Sequence, residues 1–160
     1  MKPTPFKNYT TGINVEKTVM EIEQILTRNK ATRIIKDYDE DGNITGLSFG
    51  IIVTIKGKTT LMPVKLPANS EKVQQVLIRM QRSKEIPNEA KLRTIEQARR
   101  VAWRNIKDWL LSQMAFAKAE QAEIPQIFLP YAYNDKLDKT FYEMVEDGRV
   151  DLPMLEGDQR

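Results

Sequence analysis

The 160-residue sequence contains no cysteine and no histidine. Without cysteine, the chain has no disulfide, no thiolate ligand for zinc and no thiol nucleophile. Without histidine, it lacks the usual general base near neutral pH, the Ser-His pair of many hydrolases and the imidazole ligands of many metal sites. We therefore expect a protein that acts by binding rather than by catalysis, with no metal and no cofactor.

Long apolar stretches are also missing. The opening residues are polar and contain prolines, which is unlike a signal peptide. The longest nearly apolar run covers residues 47–55 and is too short to cross a bilayer. The length of the chain, together with its 41% hydrophobic and 29% charged residues, predicts a single domain. We expect a cytoplasmic protein that does not bind membranes.

The charges are unevenly spread along the chain, although the formal net charge is only +3. Residues 70–119 hold eleven basic and five acidic side chains, whereas residues 120–160 hold four basic and ten acidic ones. A basic centre followed by an acidic end is consistent with an anionic partner, with a tail that folds back onto the basic face, or with ordinary solvated surface. The sequence leaves these three interpretations open.

The first half of the chain has the pattern of a helix, three strands and a second helix. Residues 15–29 repeat apolar side chains at helical spacing, and Asn14 before them is a good N-cap. Strands are predicted at residues 32–38, 47–55 and 62–66, with Pro63 placing the third at an edge. The inward-facing residues of the second strand are predicted to be Leu47, Phe49, Ile51, Val53 and Ile55. Ser70 is predicted to cap a second helix, which completes an α+β fold built on a three-stranded antiparallel meander.

One long amphipathic helix dominates the second half of the chain. It is predicted from about residue 89 to about residue 122, with Pro125 ending it. Residues 126–131 predict an extended strap packed onto the core, and residues 138–146 predict a last helix. The domain plan is a flexible N-terminal arm (1–13), an αβββα unit (14–82), a helix, strap and short helix (89–146), and an acidic tail (147–160).

A basic stripe lies beside the apolar face of the long helix. Its members are Arg93, Arg100, Arg104, Lys107 and Lys118. Cations spaced about one helical turn apart can neutralise successive phosphates, so the stripe predicts a nucleic-acid-binding face. Trp103 lies between the stripe and the apolar face, where it could stack on a base, whereas Trp109 lies in the apolar face and is predicted to be core.

A protein partner or self-association is the alternative function. The tryptophan-bearing helix and the "FLPY" segment at residues 128–131 could together form such an interface. In a further interpretation of the same residues, Trp103 packs against the C-terminal extension, whose carboxylates then pair with the arginines.

A divalent-dependent nuclease is the third function considered. Four carboxylates could hold Mg²⁺, namely Asp37 or Asp39 with Glu21 or Glu23, although nothing in their spacing brings them together. The carboxylates of residues 37–48 also have the spacing of the first half of an EF-hand loop. A hairpin turn explains them better, because the twelfth position is a serine and strands flank the loop.

Residues 101–131 resemble a stretch found in small uncharacterised proteins of bacteriophages and prophages. There, an Ala-Trp-Arg helix with a later Trp-Leu and Gln leads into Phe-Leu-Pro-Tyr. The matching residues are Ala102, Trp103, Arg104, Trp109, Leu110, Gln113, Phe128, Leu129, Pro130 and Tyr131. The resemblance implies an origin in a mobile element and a replication or recombination neighbourhood, but no activity and no catalytic residues.

Residues 14–82 are similar in element order and length to a double-stranded RNA-binding domain. The likeness is one of topology alone. Such domains have a Lys-Lys pair at the start of the last helix, where this chain has "SEKVQQ", and a histidine between the first two strands, which this chain lacks.

Overall fold

A computed structural model describes residues 6–153, with the predicted order of a helix, three strands and a helix. These elements are α1 (Val15–Arg28), β1 (Thr32–Tyr38), β2 (Ile44–Ile55), β3 (Lys58–Pro67) and α2 (Ser70–Arg82). The strands form one antiparallel sheet in the order β1-β2-β3, so the predicted α+β class and meander are confirmed. Residues 1–5 of the predicted arm and residues 154–160 of the predicted tail lie outside the described residues.

The helix α1 forms where the sequence pattern predicts it. The side chain of Asn14 accepts a hydrogen bond of 3.1 Å from the backbone N–H of Lys17, which satisfies one of the unpaired donors of the first turn. Val19, Ile22 and Leu26 are buried on one stripe. The predicted apolar stripe of α1 is therefore the one that enters the core.

The sheet is covered by helices on one face. The apolar side chains of β2 alternate into the core as predicted as far as Val53. The prediction for Ile55 is wrong, because the strand continues past the covered part of the sheet and leaves this side chain 63% exposed. Pro63 lies exposed on β3, which pairs within the three-stranded sheet on one side only, so the predicted edge position is confirmed.

The long helix, α3 (Ile95–Lys118), is shorter than predicted at both ends. A separate 3-10 turn at Ala90–Arg93 precedes it, and the side chain of Thr94 caps α3 by accepting a hydrogen bond of 3.1 Å from the N–H of Gln97. Thr and Gln at this spacing are the sequence signal of a capping box. Neither α3 nor any other helix within residues 6–153 has the length and apolar character that crossing a membrane requires.

The C-terminal elements are α4 (Ile124–Phe128), a 3-10 turn (Leu129–Tyr131), β4 (Tyr133–Asn134), β5 (Lys139–Thr140) and α5 (Phe141–Glu146). The predicted extended strap is wrong. Pro125 lies in the first turn of α4. A backbone N–H at that position would have no acceptor within the helix, so proline costs no hydrogen bond there. Packing onto the core is confirmed, because Phe128 is buried edge-on against Phe49 with ring centroids 5.2 Å apart. The last helix starts at residue 141 rather than 138, behind the N-cap Thr140.

Two buried clusters hold the fold together. The larger lies between the inner face of the sheet, α1, α3 and α4. The smaller joins α2 to the N-terminal half of α3 through Leu77, Ile86 and Ala98. The two ends of α3 therefore have different neighbours.

The prediction of a flexible N-terminal arm is wrong for residues 6–13, because these residues pack against α3. Phe6 and Tyr9 contact the smaller buried cluster. The buried Gln97 of α3 donates from Nε2 to the backbone carbonyls of Tyr9 and Thr11, at 2.9 and 3.0 Å. A buried amide must satisfy its donors, so this glutamine holds the segment in place.

Candidate nucleic-acid interface

Trp103 is part of the core, so its predicted role as a stacking platform is wrong. Its exposed fraction is 0%, and its Nε1–H donates a hydrogen bond of 3.3 Å to the backbone carbonyl of Ile44. Trp109 is instead half-buried at the rim of the core, where its ring meets Phe128 and Tyr131 edge-on. Periodicity placed Trp103 at the margin of the apolar face, but α1 and the sheet cover that margin.

Arg104 and Lys107 are neutralised inside the fold by Glu21 of α1. Oε2 of Glu21 lies 2.8 Å from Nη1 of Arg104 and 2.6 Å from Nζ of Lys107. The hydrogen bond from Lys107, and after it the one from Arg104, lowers the pKa of Glu21 below its ordinary value although desolvation opposes the shift. The expectation that these two cations lie open to solvent is wrong, since their side chains are 17% and 16% exposed.

The other three predicted cations do not form a continuous stripe with them. Arg93 lies in the 3-10 turn before α3, and its Nη1 donates to Oε1 of Gln81 at 3.2 Å. Arg100 is half-buried and donates from Nε to Oε1 of Gln97 at 3.0 Å. Lys118 is exposed at the opposite end of α3. The five predicted cations are thus divided among four surroundings.

The C-terminal segment does not neutralise the basic helix within the described part of the chain. Asp147 pairs instead with Lys139 and with Arg149, whose Nε lies 3.9 Å from the Asp147 carboxylate. None of the ion pairs within residues 6–153 joins a carboxylate after α3 to a cation of α3. The helix that covers Arg104 is α1, which precedes α3 in the sequence.

The helices α1 and α3 run in the same direction, so their C-terminal ends lie at one end of the molecule. Near their N-termini, Glu16 and Arg100 line one shallow pocket, and further along Glu21 contacts Arg104. The strand β2 runs the same way, because its first residue, Ile44, lies near the N-termini of both helices, whereas Phe49 further along packs against Phe128, which follows α3 in the chain. The α1–β1 connection and the β2–β3 turn are therefore brought to the same end.

Five cations occupy this end and are termed the basic end: Arg28, Lys30, Arg33, Lys56 and Lys58. All five residues are exposed, and none forms an ion pair within the described part of the chain. Residues 24–36 and 42–70, which carry these cations, contain no carboxylate. The connection after α3 adds the exposed Lys118, together with Glu120 and Glu123. Positive charge at the basic end is thus uncompensated by its own segments.

Three members of the basic end hold backbone angles that glycine and asparagine adopt more readily. The φ angles are +66° at Lys30, +52° at Arg33 and +49° at Lys56. For residues with a Cβ, this left-handed conformation costs roughly 1–2 kcal/mol. Arg33 lies where β1 shifts register against β2, and Lys56 with Gly57 makes a two-residue hairpin turn. Four other described residues that are not glycine, among them Lys84, share this conformation, so it marks turns in general and not the basic end alone.

Replacing Lys56 with asparagine is expected to raise the free energy of unfolding by about 0.5–1 kcal/mol, because asparagine is favoured in this turn. Thermal unfolding followed by circular dichroism measures the change. Lys84 also has a positive φ, +59°, and lies after α2, away from the basic end. Lys84→Asn should therefore give a similar gain, and a less stable Lys56→Asn variant would contradict the turn geometry.

The four carboxylates considered for Mg²⁺ binding have separate partners. Glu21 bonds the two α3 cations, and Glu23 lies 3.0 Å from a lysine Nζ of β1. Asp37 lies 4.0 Å from a lysine Nζ of β3, while Asp39 accepts a hydrogen bond of 2.8 Å from the N–H of Asn43 and closes the predicted hairpin turn. Between residues 6 and 153, no group of three or more acidic side chains could hold a metal ion.

Comparison of the chain with protein-family models, with curated proteins and with solved structures gave no match. The resemblance to bacteriophage and prophage proteins and the topological likeness to a double-stranded RNA-binding domain therefore stay predictions. Any functional conclusion depends on the geometry of the site itself.

Proposed function

We propose that the protein binds nucleic acid through the basic end. The observation that carries this proposal is a group of five exposed cations without an ion pair among the described residues. Elsewhere, Arg104 and Lys107 pair with a carboxylate, and the exposed cations of residues 71–89, which form no ion pair among the described residues, share that segment with three carboxylates. Uncompensated positive charge at one end of a molecule is the electrostatic footprint of a phosphate-binding surface.

The residue types of the basic end favour contacts with phosphates rather than with bases. Arginine and lysine side chains neutralise phosphates and fix the position of a protein on nucleic acid, but they carry no sequence information in doing so. None of the five residues is aromatic, and the tryptophan expected to stack is buried. Binding by this surface should therefore be strongly salt-dependent and largely independent of sequence.

A protein interface built from the tryptophan-bearing helix and residues 128–131 has less support. Trp103 and Phe128 are enclosed within a single chain and cannot meet a partner, so the large apolar side chains left exposed on these segments are Leu111, Phe116 and Leu129. Trp109 and Tyr131 are half-buried, and their rings contact each other edge-on within the same chain. We therefore retain one candidate function.

The test is fluorescence anisotropy of the purified chain with labelled single- and double-stranded oligonucleotides across a salt series. If all five cations meet phosphates of duplex DNA, a plot of log affinity against log salt has a slope near −4.5, since each contact contributes about 0.9. The double variant Lys56→Asn/Lys58→Gln should make this slope shallower by about 1.8.

The matched control is Lys72→Gln/Lys84→Asn, which removes the same charge from the region of α2. Both lysines are exposed, and α2 packs against the half of α3 away from the basic end. This control should keep the wild-type slope. Equal losses from the two double variants would show that only net charge matters, and a flat salt profile for the wild-type chain would end the proposal.

A further inference from the structure

The β2–β3 hairpin extends beyond the rest of the sheet. The ladder between β1 and β2 ends at Gly50, whereas β2 and β3 stay paired as far as Ile55 and Lys58. Val53 is the last buried side chain of β2, and residues 54–60 are all exposed. At about 3.4 Å per residue, the tip projects roughly 10 Å from the covered part of the sheet.

The projecting tip is held in one shape by its own contacts. Lys56 and Gly57, with φ of +49° and +73°, form a two-residue turn whose twist matches that of the paired strands. Just below the turn, the hydroxyl oxygens of Thr54 and Thr59 lie 3.3 Å apart across the hairpin. A tip that is ordered before binding loses little conformational freedom when it binds.

The tip combines one apolar side chain with two cations. Ile55 is exposed beside the turn; Lys56 follows it at the apex, and Lys58 pairs with it across the hairpin. No carboxylate occurs in residues 42–70 to repel an anionic ligand. The matching ligand has negative charge on two sides and apolar groups between them. The major groove of DNA has this arrangement, because two phosphate backbones border a floor that carries thymine methyl groups.

We propose that the β2–β3 hairpin enters the major groove of duplex DNA. The inference rests on the proposed function and assigns a substrate class to the basic end. The major groove of B-DNA is about 12 Å wide and about 8.5 Å deep, and it accepts a two-stranded ribbon. The hairpin lies along the groove with the face that carries Ile55 towards the floor, so that Ile55 contacts thymine methyl groups while the longer side chains of Lys56 and Lys58 reach the phosphates of the bordering strands. The three cations in and beside the α1–β1 connection stay outside the groove, on the flanking backbone.

Duplex RNA and single strands fit this tip less well. The major groove of A-form RNA is deep and too narrow for side chains to read. A single strand has no groove to enclose an apolar tip, and base stacking would require aromatic residues that residues 54–60 do not contain.

The test compares three duplexes of one A·T-rich sequence: DNA, the same DNA with uracil in place of thymine, and RNA. Affinity is measured at one moderate salt concentration by anisotropy. The wild-type chain should bind the DNA roughly tenfold more tightly than the RNA, because the RNA groove excludes the hairpin. Uracil should lower the affinity roughly fourfold for each methyl contact that is lost.

Ile55→Ser should lower the affinity for the thymine duplex roughly tenfold, leave the salt slope unchanged and abolish the discrimination between thymine and uracil. Ile52→Ser is the matched control. Ile52 is 61% exposed against 63% for Ile55, but it lies below the projecting tip. This control should keep the wild-type affinity and discrimination, and thermal unfolding checks that both variants fold.

The outcomes separate the two proposals. Equal binding of the thymine and uracil duplexes, or equal losses from Ile55→Ser and Ile52→Ser, would overturn the insertion of the hairpin. In that case, a steep salt slope carried by Lys56 and Lys58 would leave the proposed function standing. An affinity that does not depend on salt for any oligonucleotide would overturn both proposals.

Discussion

Trp103→Ala should lose about 3–5 kcal/mol of the free energy of unfolding. The indole is 0% exposed in the larger buried cluster, so its removal leaves a cavity among α1, α3 and the sheet. The backbone carbonyl of Ile44 also loses the donor that satisfies it. Small domains are stable by only about 5–15 kcal/mol, so this loss is a large fraction of the total. Unfolding in urea, followed by circular dichroism, measures it.

Trp109→Ala is the matched control for this prediction, because it removes the same side chain from the same helix. Trp109 is half-buried at the rim of the core, so the expected loss is about half as large, roughly 1.5–2.5 kcal/mol. A Trp103→Ala variant with wild-type stability but weakened nucleic-acid binding would contradict the buried position. It would instead support the stacking role that the sequence suggested.

Glu21→Gln should lower the free energy of unfolding by about 1.5–3 kcal/mol at neutral pH. Glutamine keeps the size of the side chain but removes the carboxylate that pairs with the half-buried Arg104 and Lys107, so that Asp108 is the carboxylate that still interacts with Arg104. Glu16→Gln is the control on the same helix, because Glu16 is exposed and forms no ion pair within residues 6–153. It should cost less than about 0.5 kcal/mol, through the helix dipole alone.

The contribution of Glu21 should also depend on pH. Its folded-state pKa is held below the ordinary value of 4.5, first by the hydrogen bond from Lys107 and then by that from Arg104. A carboxylate with a lowered pKa stabilises the fold fully above its unfolded pKa, and this stability is lost as the pH falls through the folded pKa. Between about pH 6 and about pH 3, the wild-type chain should therefore lose more stability than Glu21→Gln. Parallel stability curves would show that the ion pairs contribute nothing.

The order of elements could be predicted from the sequence because it depends on local patterns. Helical spacing after Asn14, alternation in β2 and a proline in β3 are each readable within a few residues, and the structure has all three features. The errors occurred where one local signal has two meanings. Pro125 predicts the end of a long helix, but a proline fits the first turn of the next helix equally well.

The candidate site could be predicted only in part. Sequence periodicity assigned the nucleic-acid face to α3, but it gives no information about which helix will pack beside those cations. The basic end was missed because its residues lie in or beside two connections that are distant in sequence and individually short. The missed signals were carboxylate-free segments and lysines at turn positions, which become meaningful once the topology places them together.

By itself, the sequence determined which chemistries are absent, which segments carry uncompensated cations and in what order the elements form, since these depend on residue types and neighbours in the chain. Only the tertiary structure decided which cations stay available. Glu21 and Arg104 are 83 positions apart, and their pairing exists because α1 packs along α3. Long-range packing buries one set of charges against its own counter-charge and leaves another set at the end of the sheet, where the described chain supplies no carboxylate partner.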